Sequence, residues 1–135
     1  MADVLVVAYR TAATPALIEQ VRRRATESPC RFTLLVPRPY WDADTEESGI
    51  TLELAIPLLE EAAGGHVEAM VGDPSPMNAI QDAINIHGFD EVIISTLPTT
   101  VSKWLKLDLP SKVSGLGLPV TTVTAKPREG IAARP

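Results

Sequence analysis

Hydroxyl side chains crowd one stretch of the sequence, "STLPTTVSK", in which they belong to Ser95, Thr96, Thr99, Thr100 and Ser102. A cationic side chain, Arg10, follows an apolar run near the start of the chain. Hydroxyl and guanidinium groups donate hydrogen bonds to anions such as phosphate. If the fold brings these two segments together, they form a candidate anion or nucleotide cleft of Arg10, Ser95, Thr96, Thr99 and Thr100. The same hydroxyls can instead bond their own backbone, with the cation in solvent.

Five short apolar runs indicate the strands that would position this cleft. Three of the runs are apolar at successive positions, which is typical of strands that are covered on both faces. The low aromatic share of 4% also favours a core of Val, Leu, Ile and Ala. The predicted strands cover residues 3–9, 31–37, 66–71, 90–96 and 118–124.

Helical patterns lie between these runs. Thr14 and Pro15 predict the start of a first helix, whose cationic residues 22–24 are expected to face solvent. A second helix is predicted over 49–65, closed by a glycine pair, with Pro57 inside it. A third is predicted over 73–88, capped by Asp73 and opened by Pro74, with an apolar face that extends toward His87. A fourth begins near Asp108 and Pro110.

The alternation of strands and helices predicts the fold class. Strands separated by one helix each imply right-handed crossovers and an all-parallel sheet. We therefore predict a flavodoxin-like or Rossmann-like, doubly wound α/β fold with five strands in the order 3-2-1-4-5 and four helices. The switch point of this sheet lies between strands 1 and 4. A ligand there would meet residues 9–14 and 95–100, which include the candidate cleft.

Composition limits the classes of partner. The 135 residues fit one domain, predicted over 3–125, followed by a loose C-terminal tail over 126–135. A net charge of −5 argues against nucleic acid and acidic membranes as partners. The single cysteine, Cys30, suits a reducing compartment, and the first residues lack the features of a signal peptide. We expect a cytoplasmic protein.

Two segments resemble the universal stress protein family. "VGDPSPMNAIQDAINIHGFDEVIIST" is similar to the third helix and fourth strand of that family, and "GLPVTTV" is similar to its last strand. The resemblance spans residues 3 to about 125. It implies the same fold and, for members that bind ATP, a Gly-x2-Gly-x9-Gly-Ser/Thr motif after strand 4.

This sequence departs from that motif at every position. The motif falls on Ser95, Pro98, Asp108 and Leu109. Glycines let the backbone approach phosphate oxygens, whereas Pro98 lacks an N–H and a carboxylate at Asp108 repels phosphate. We expect Asp108 and Pro110 to satisfy the start of the last helix internally. Leu109 and the apolar residues of 101–107, Trp104 among them, would then cover the nucleotide position or form an exposed patch for a partner. The aspartate that ATP-binding members carry near the end of strand 1 is also absent, since that stretch reads "VVAYRTAAT".

The leading hypothesis is a non-catalytic regulatory or interaction protein without a cofactor. The resemblance implies a homodimer through the last strand, Pro119 to Ala125, because an uncovered edge strand can pair with another chain. We also expect a protein partner whose identity is unknown. The alternative is a sensor of ATP or another adenine nucleotide that uses the hydroxyl-rich loop. Enzymes are not favoured, because neither His66 nor His87 is placed to act as a base. The acidic stretch 41–47 lacks the glycine turn of a calcium loop, so we expect no metal site.

Overall fold

The computed structural model describes residues 1–8, 12–37, 45–96 and 108–124, with side chains from 52 onward in the third range. In chain order the elements are β1 (Ala2–Val7), α1 (Pro15–Glu27), β2 (Cys30–Pro37), α2 (Thr45–Ala63), β3 (Val67–Gly72), α3 (Pro76–His87), β4 (Glu91–Thr96), α4 (Leu109–Ser114) and β5 (Val120–Thr124).

The five strands form one sheet in the order β3-β2-β1-β4-β5, and each neighbouring pair is parallel. The predicted fold class and strand order are therefore confirmed. β1 lies in the centre, where Val7 pairs with Leu35 of β2 and with Ile94 of β4. This pairing places the carboxyl ends of β1 and β4 side by side.

Two apolar clusters cover the two faces of the sheet. Val4 and Val6 of β1 pack on one face in a cluster that includes residues of α1 and α2, whereas Leu5 and Val7 pack on the other face with α3 and α4. All four of these side chains are at most 1% exposed. A strand buried on both faces has no polar position to offer, which explains the continuous apolar run in the sequence.

Helix α1 begins where its sequence predicts. Thr14 is the N-cap residue and Pro15 occupies the first turn, although the Thr14 side chain makes no capping hydrogen bond. Leu17 and Val21 are buried, and Ile18 and Ala25 pack against the same cluster. The expected apolar stripe of α1 is confirmed.

The expected solvent-facing cluster of arginines is wrong at Arg24. Its guanidinium binds both carboxylate oxygens of Glu91, at 3.0 and 2.9 Å, and the two side chains are only 13% and 20% exposed. This bidentate ion pair connects the last turn of α1 to the start of β4. Arg22 and Arg23 are exposed, as expected.

The start of α3 differs from the prediction. Ser75, not Asp73, is the N-cap residue, and its Oγ accepts a hydrogen bond from the backbone N–H of Asn78 at 3.4 Å. Asp73 instead accepts a hydrogen bond from the N–H of Ser75 at 2.9 Å. Pro76 therefore opens the helix, and Pro74 lies in the turn before it. His87, the last residue of α3, is exposed rather than part of the inward face.

Helix α2 is longer than predicted, because it begins at Thr45 rather than near residue 49. Pro57 lies inside the helix. The predicted glycine closure is confirmed by Gly64, whose φ of 76° lies in the left-handed region that ends many helices. The predicted tail, residues 126–135, lies outside the described residues.

Candidate functional site

The candidate site lies where β1 and β4 end. β1 leads through Ala8 and Ala12 toward the start of α1, and both alanines are at most 1% exposed. β4 ends at Ser95 and Thr96, which pair with Val123 and Thr124 of β5. This is the switch point of the sheet, at which open α/β folds bind ligands.

Three hydroxyl side chains are buried at this edge. Thr14, Ser95 and Thr96 are each at most 2% exposed. Thr96 Oγ1 lies 3.5 Å from Thr124 Oγ1, a long contact between two neighbouring strands. Thr14 and Ser95 also have interaction partners. These hydroxyls are buried and bonded within the protein, so Ser95 and Thr96 lie beneath the surface at the switch point.

The described residues include only part of the predicted cleft. Of the five candidate residues, Ser95 and Thr96 lie at the switch point as expected. Arg10, Thr99 and Thr100 lie outside the described residues, as do Trp104 and most of the acidic stretch 41–47. Those parts of the prediction stay predictions.

Asp108 has the most informative backbone in this region. It is the N-cap residue of α4, with φ 57° and ψ 39°, the left-handed conformation that residues other than glycine seldom adopt. In the alignment of the ATP-binding motif, this position carries a glycine. The backbone conformation that a glycine would favour is thus present, but the residue that occupies it adds an exposed carboxylate.

One detail of the Asp108 prediction is wrong. Its side chain makes no capping hydrogen bond, so the carboxylate does not satisfy the helix start. The first turn instead contains Pro110, which has no N–H, and Leu109, which is 3% exposed and belongs to the cluster beneath α3 and α4. Leu109 is therefore a core residue and not part of an exposed patch, and the expected apolar cover from residues 101–107 stays a prediction, since they lie outside the described residues.

The titratable groups whose pKa values the described structure shifts lie near the amino-terminal edge of the sheet. A hydrogen bond from Arg24 to Glu91, and one from Arg31 to Asp3, raise the pKa values of the two arginines. Hydrogen bonding to Glu68 and then the charge of that carboxylate raise the pKa of His66. All of these groups are remote from the switch point, so they offer no acid or base to a ligand bound there.

Two further observations concern metals and membranes. Within residues 1–8, 12–37, 52–96 and 108–124, no group of three or more His, Cys, Asp or Glu side chains is arranged to hold a metal ion. In the same part of the chain, no helix combines the length and apolarity that crossing a membrane requires.

Comparisons with known proteins show which solved structures have a similar fold. No protein-family model matches the sequence. No curated protein matches it either. Among solved structures, a universal stress protein from Archaeoglobus fulgidus has a TM-score of 0.68 at 16% identity, over 91% of this chain and 93% of that one.

Two other structures of the same class hold ligands. The Archaeoglobus fulgidus universal stress protein in complex with dAMP has a TM-score of 0.62 at 16% identity, over 91% of this chain and 97% of that one. A universal stress protein in complex with cAMP has a TM-score of 0.62 at 12% identity, over 93% and 98%. The chain thus has a doubly wound α/β fold. Within that class, its fold is that of the universal stress proteins.

Proposed function

We propose that this protein is a regulatory or interaction protein of the universal-stress type that does no catalysis and does not bind ATP in the manner of the glycine-motif members. The observation that carries the proposal is Asp108, which puts a carboxylate where the motif has a glycine at the start of the last helix. Phosphate binding at such a position depends on close backbone approach and positive potential. A fixed negative charge there repels an incoming phosphate.

The sequence of the loop supports the same proposal. Ser95 is 1% exposed at the first motif position, and Pro98 removes an N–H at the second. Leu109 replaces the hydroxyl residue of the last motif position and is buried in the core. No position of the motif therefore retains the residue type that the glycine-motif members use to bind phosphate.

A second function is favoured by the buried hydroxyls and by the neighbours that hold dAMP and cAMP. In this alternative, Ser95, Thr96, Thr99 and Thr100 with Arg10 bind an adenine nucleotide or another anion without glycines. The affinity would then fall with added salt, because the contacts are charged.

Calorimetry distinguishes the two functions. We expect no heat of binding and no thermal shift with millimolar ATP, ADP or AMP and magnesium, at low or moderate salt. Tryptophan fluorescence, to which Trp41 and Trp104 both contribute, should not respond when it is read in parallel. Saturable binding that is lost when Thr99 and Thr100 are both replaced by alanine would refute the leading proposal and establish the nucleotide sensor.

We further propose a homodimer that pairs through the last strand, predicted over Pro119 to Ala125. Within the described residues, β5 pairs with β4 alone, and Thr121, Thr122 and Thr124 are exposed. An edge strand of this kind presents unpaired N–H and C=O groups to a second copy. β5 is short and rich in threonine rather than apolar, so the pairing would depend on backbone hydrogen bonds more than on apolar burial.

Sedimentation velocity tests the dimer. Thr122→Lys brings two like charges to the shared edge and should weaken the dimer. Thr26→Lys, at an exposed threonine on α1, is the matched control and should not. A protein that is monomeric at tens of micromolar, or a dimer that Thr122→Lys leaves unchanged, would exclude pairing through β5.

A further inference from the structure

His66 lies between two carboxylates. Its Nε2 is 2.6 Å from Oε2 of Glu68, and its Nδ1 is 3.1 Å from Oε2 of Glu60. Glu68 belongs to β3, two residues further along the chain, whereas Glu60 lies near the C-terminal end of α2. One imidazole ring therefore connects the end of a helix to the start of the strand that follows it.

These two contacts depend on the protonation state of the ring. A neutral imidazole carries one N–H and one lone pair, and only the protonated ring donates from both nitrogens. If His66 were neutral, one carboxylate would face a nitrogen lone pair. The hydrogen bond at Nε2 and the ion-pair distance at Nδ1 therefore fit the imidazolium. The pKa of His66 is raised from 6.5, chiefly by the hydrogen bond to Glu68 and with smaller contributions from Glu60.

The Glu60 carboxylate has a second contact. The same Oε2 atom accepts a hydrogen bond from the backbone N–H of Val67, the first residue of β3, at 3.1 Å. Glu60 is thus fixed between the imidazolium and the strand. β3 is an edge strand of the described sheet and pairs only with β2. The contacts of Glu60 therefore add to the constraints on this strand end, where Val67 also pairs with Phe32 and is 2% exposed.

Other charged groups lie in the surroundings of His66. His66 and Glu68 line an open groove at the amino-terminal edge of the sheet, and Asp3, Arg31 and His87 also line it. Arg31 is paired with Asp3, with Nε at 2.8 Å from Oδ1, so this cation is largely neutralised. The Glu68 carboxylate raises the pKa of His66 most, burial lowers it, and Glu60 also raises it.

We propose that His66, Glu60 and Glu68 form a pH-dependent link between the end of α2 and the start of β3. The link is made when the imidazole is protonated and is lost when the ring gives up its proton. Glu60 then loses its cation, becomes free to rotate, and holds the Val67 N–H less firmly. The first residues of β3 and the wall of the adjacent groove loosen as a result.

The direction of the pH dependence follows from the raised pKa. A group whose pKa is higher in the folded state stabilises that state fully below the pKa of the unfolded chain. This contribution is lost as the pH rises through the folded-state pKa, above the ordinary value of 6.5. Because the His66 side chain is 71% exposed, the effect is local rather than a large change in global stability.

Nuclear magnetic resonance of the full chain tests the link, since the protein has two histidines and His87 serves as the internal reference. We expect the His66 ring to titrate above 6.5 and its midpoint to fall in Glu68→Gln. Glu60→Gln should also lower it while keeping an acceptor for the Val67 N–H. The His87 signals should stay the same in both variants, which shows that the fold is intact.

Amide hydrogen exchange gives the second readout. After correction for the intrinsic rate, protection of the Val67 N–H should decrease as the pH rises through the His66 midpoint. The Gly64 N–H, which donates to the Glu60 backbone carbonyl at 2.9 Å, is the control amide. In His66→Gln the pH dependence at Val67 should disappear. A His66 midpoint that neither glutamine variant moves, or a Val67 protection that is independent of pH, would overturn the proposal.

Discussion

Gly72, the last residue of β3, lies close against α3. A Cβ atom at this position would lie 2.7 Å from Cβ of Ala79 and 3.0 Å from Cδ1 of Leu35. Carbon atoms in contact are ordinarily about 3.5–4.0 Å apart, so the overlap with Ala79 is about 1 Å. The Leu35 methyl group can rotate away, whereas the Ala79 Cβ is fixed to the helix backbone.

We therefore expect Gly72→Ala to lower the free energy of unfolding by about 1–3 kcal/mol, the usual cost of overpacking a core. For a chain of this length, the melting temperature should fall by roughly 4 to 12 °C. Urea unfolding followed by circular dichroism measures the free energy, and calorimetry measures the melting temperature. Gly65→Ala is the matched control, because a Cβ at Gly65 would meet no atom within 4 Å.

A double-mutant cycle identifies the cause. Ala79→Gly alone should cost about 1 kcal/mol or more, since glycine is unfavourable inside a helix and a buried methyl group is lost. It also removes the atom that Gly72→Ala would strike. The cost of Gly72→Ala should therefore be smaller by about 1 kcal/mol in the Ala79→Gly background. The steric explanation fails if Gly72→Ala is as harmless as Gly65→Ala, or if its cost is the same in both backgrounds.

Two further predictions concern side chains that sequence patterns alone did not place. Because the backbone at Asp108 is left-handed, we expect Asp108→Ala to be less stable than the native protein by about 1 kcal/mol and Asp108→Gly to be at least as stable as the native protein. Thermal melts in which the alanine variant is the most stable of the three proteins would contradict this conformation. At Arg24, replacement by methionine should lower the free energy of unfolding by about 1–3 kcal/mol, because Glu91 loses its partner in a mostly buried setting, and Arg24→Lys should recover part of that loss. The control Arg23→Met should be nearly neutral. Equal effects of the two methionine variants in urea unfolding would argue against the ion pair.

Local sequence signals predicted the order of the elements well, because three of the five strands are continuous apolar runs and helical patterns lie between the strands. The start of α1 was predictable because Thr14 and Pro15 are the only cap and proline pair at that point. The start of α3 was not, since "DPSP" contains that pair twice. The structure uses Ser75 and leaves Asp73 to bond the turn, a choice that depends on where β3 ends.

Local sequence signals could not predict contacts between residues that are far apart in the sequence. Arg24 and Glu91 are 67 residues apart, and their pairing depends on how α1 packs beside β4. The link at His66 has a weak local signal, because Glu68 lies two residues away on the same side of a strand, but Glu60 comes from the helix before it. For the candidate site, strand order predicted the positions of Ser95 and Thr96, whereas the left-handed backbone at Asp108 had only a weak signal, because aspartate adopts that conformation more often than most residues other than glycine.

The position of β1 has a consequence for synthesis on the ribosome. β1 begins at residue 2, whereas β4, the second strand with which β1 pairs, begins only at Glu91. The growing chain therefore contains the whole of β1 long before β4 is available to cover one edge of it. During that interval an apolar strand edge, Val4 to Val7, is open to other chains. The central strand of the mature sheet is therefore a segment through which the nascent chain is open to aggregation and to chaperones until β4 has been synthesised.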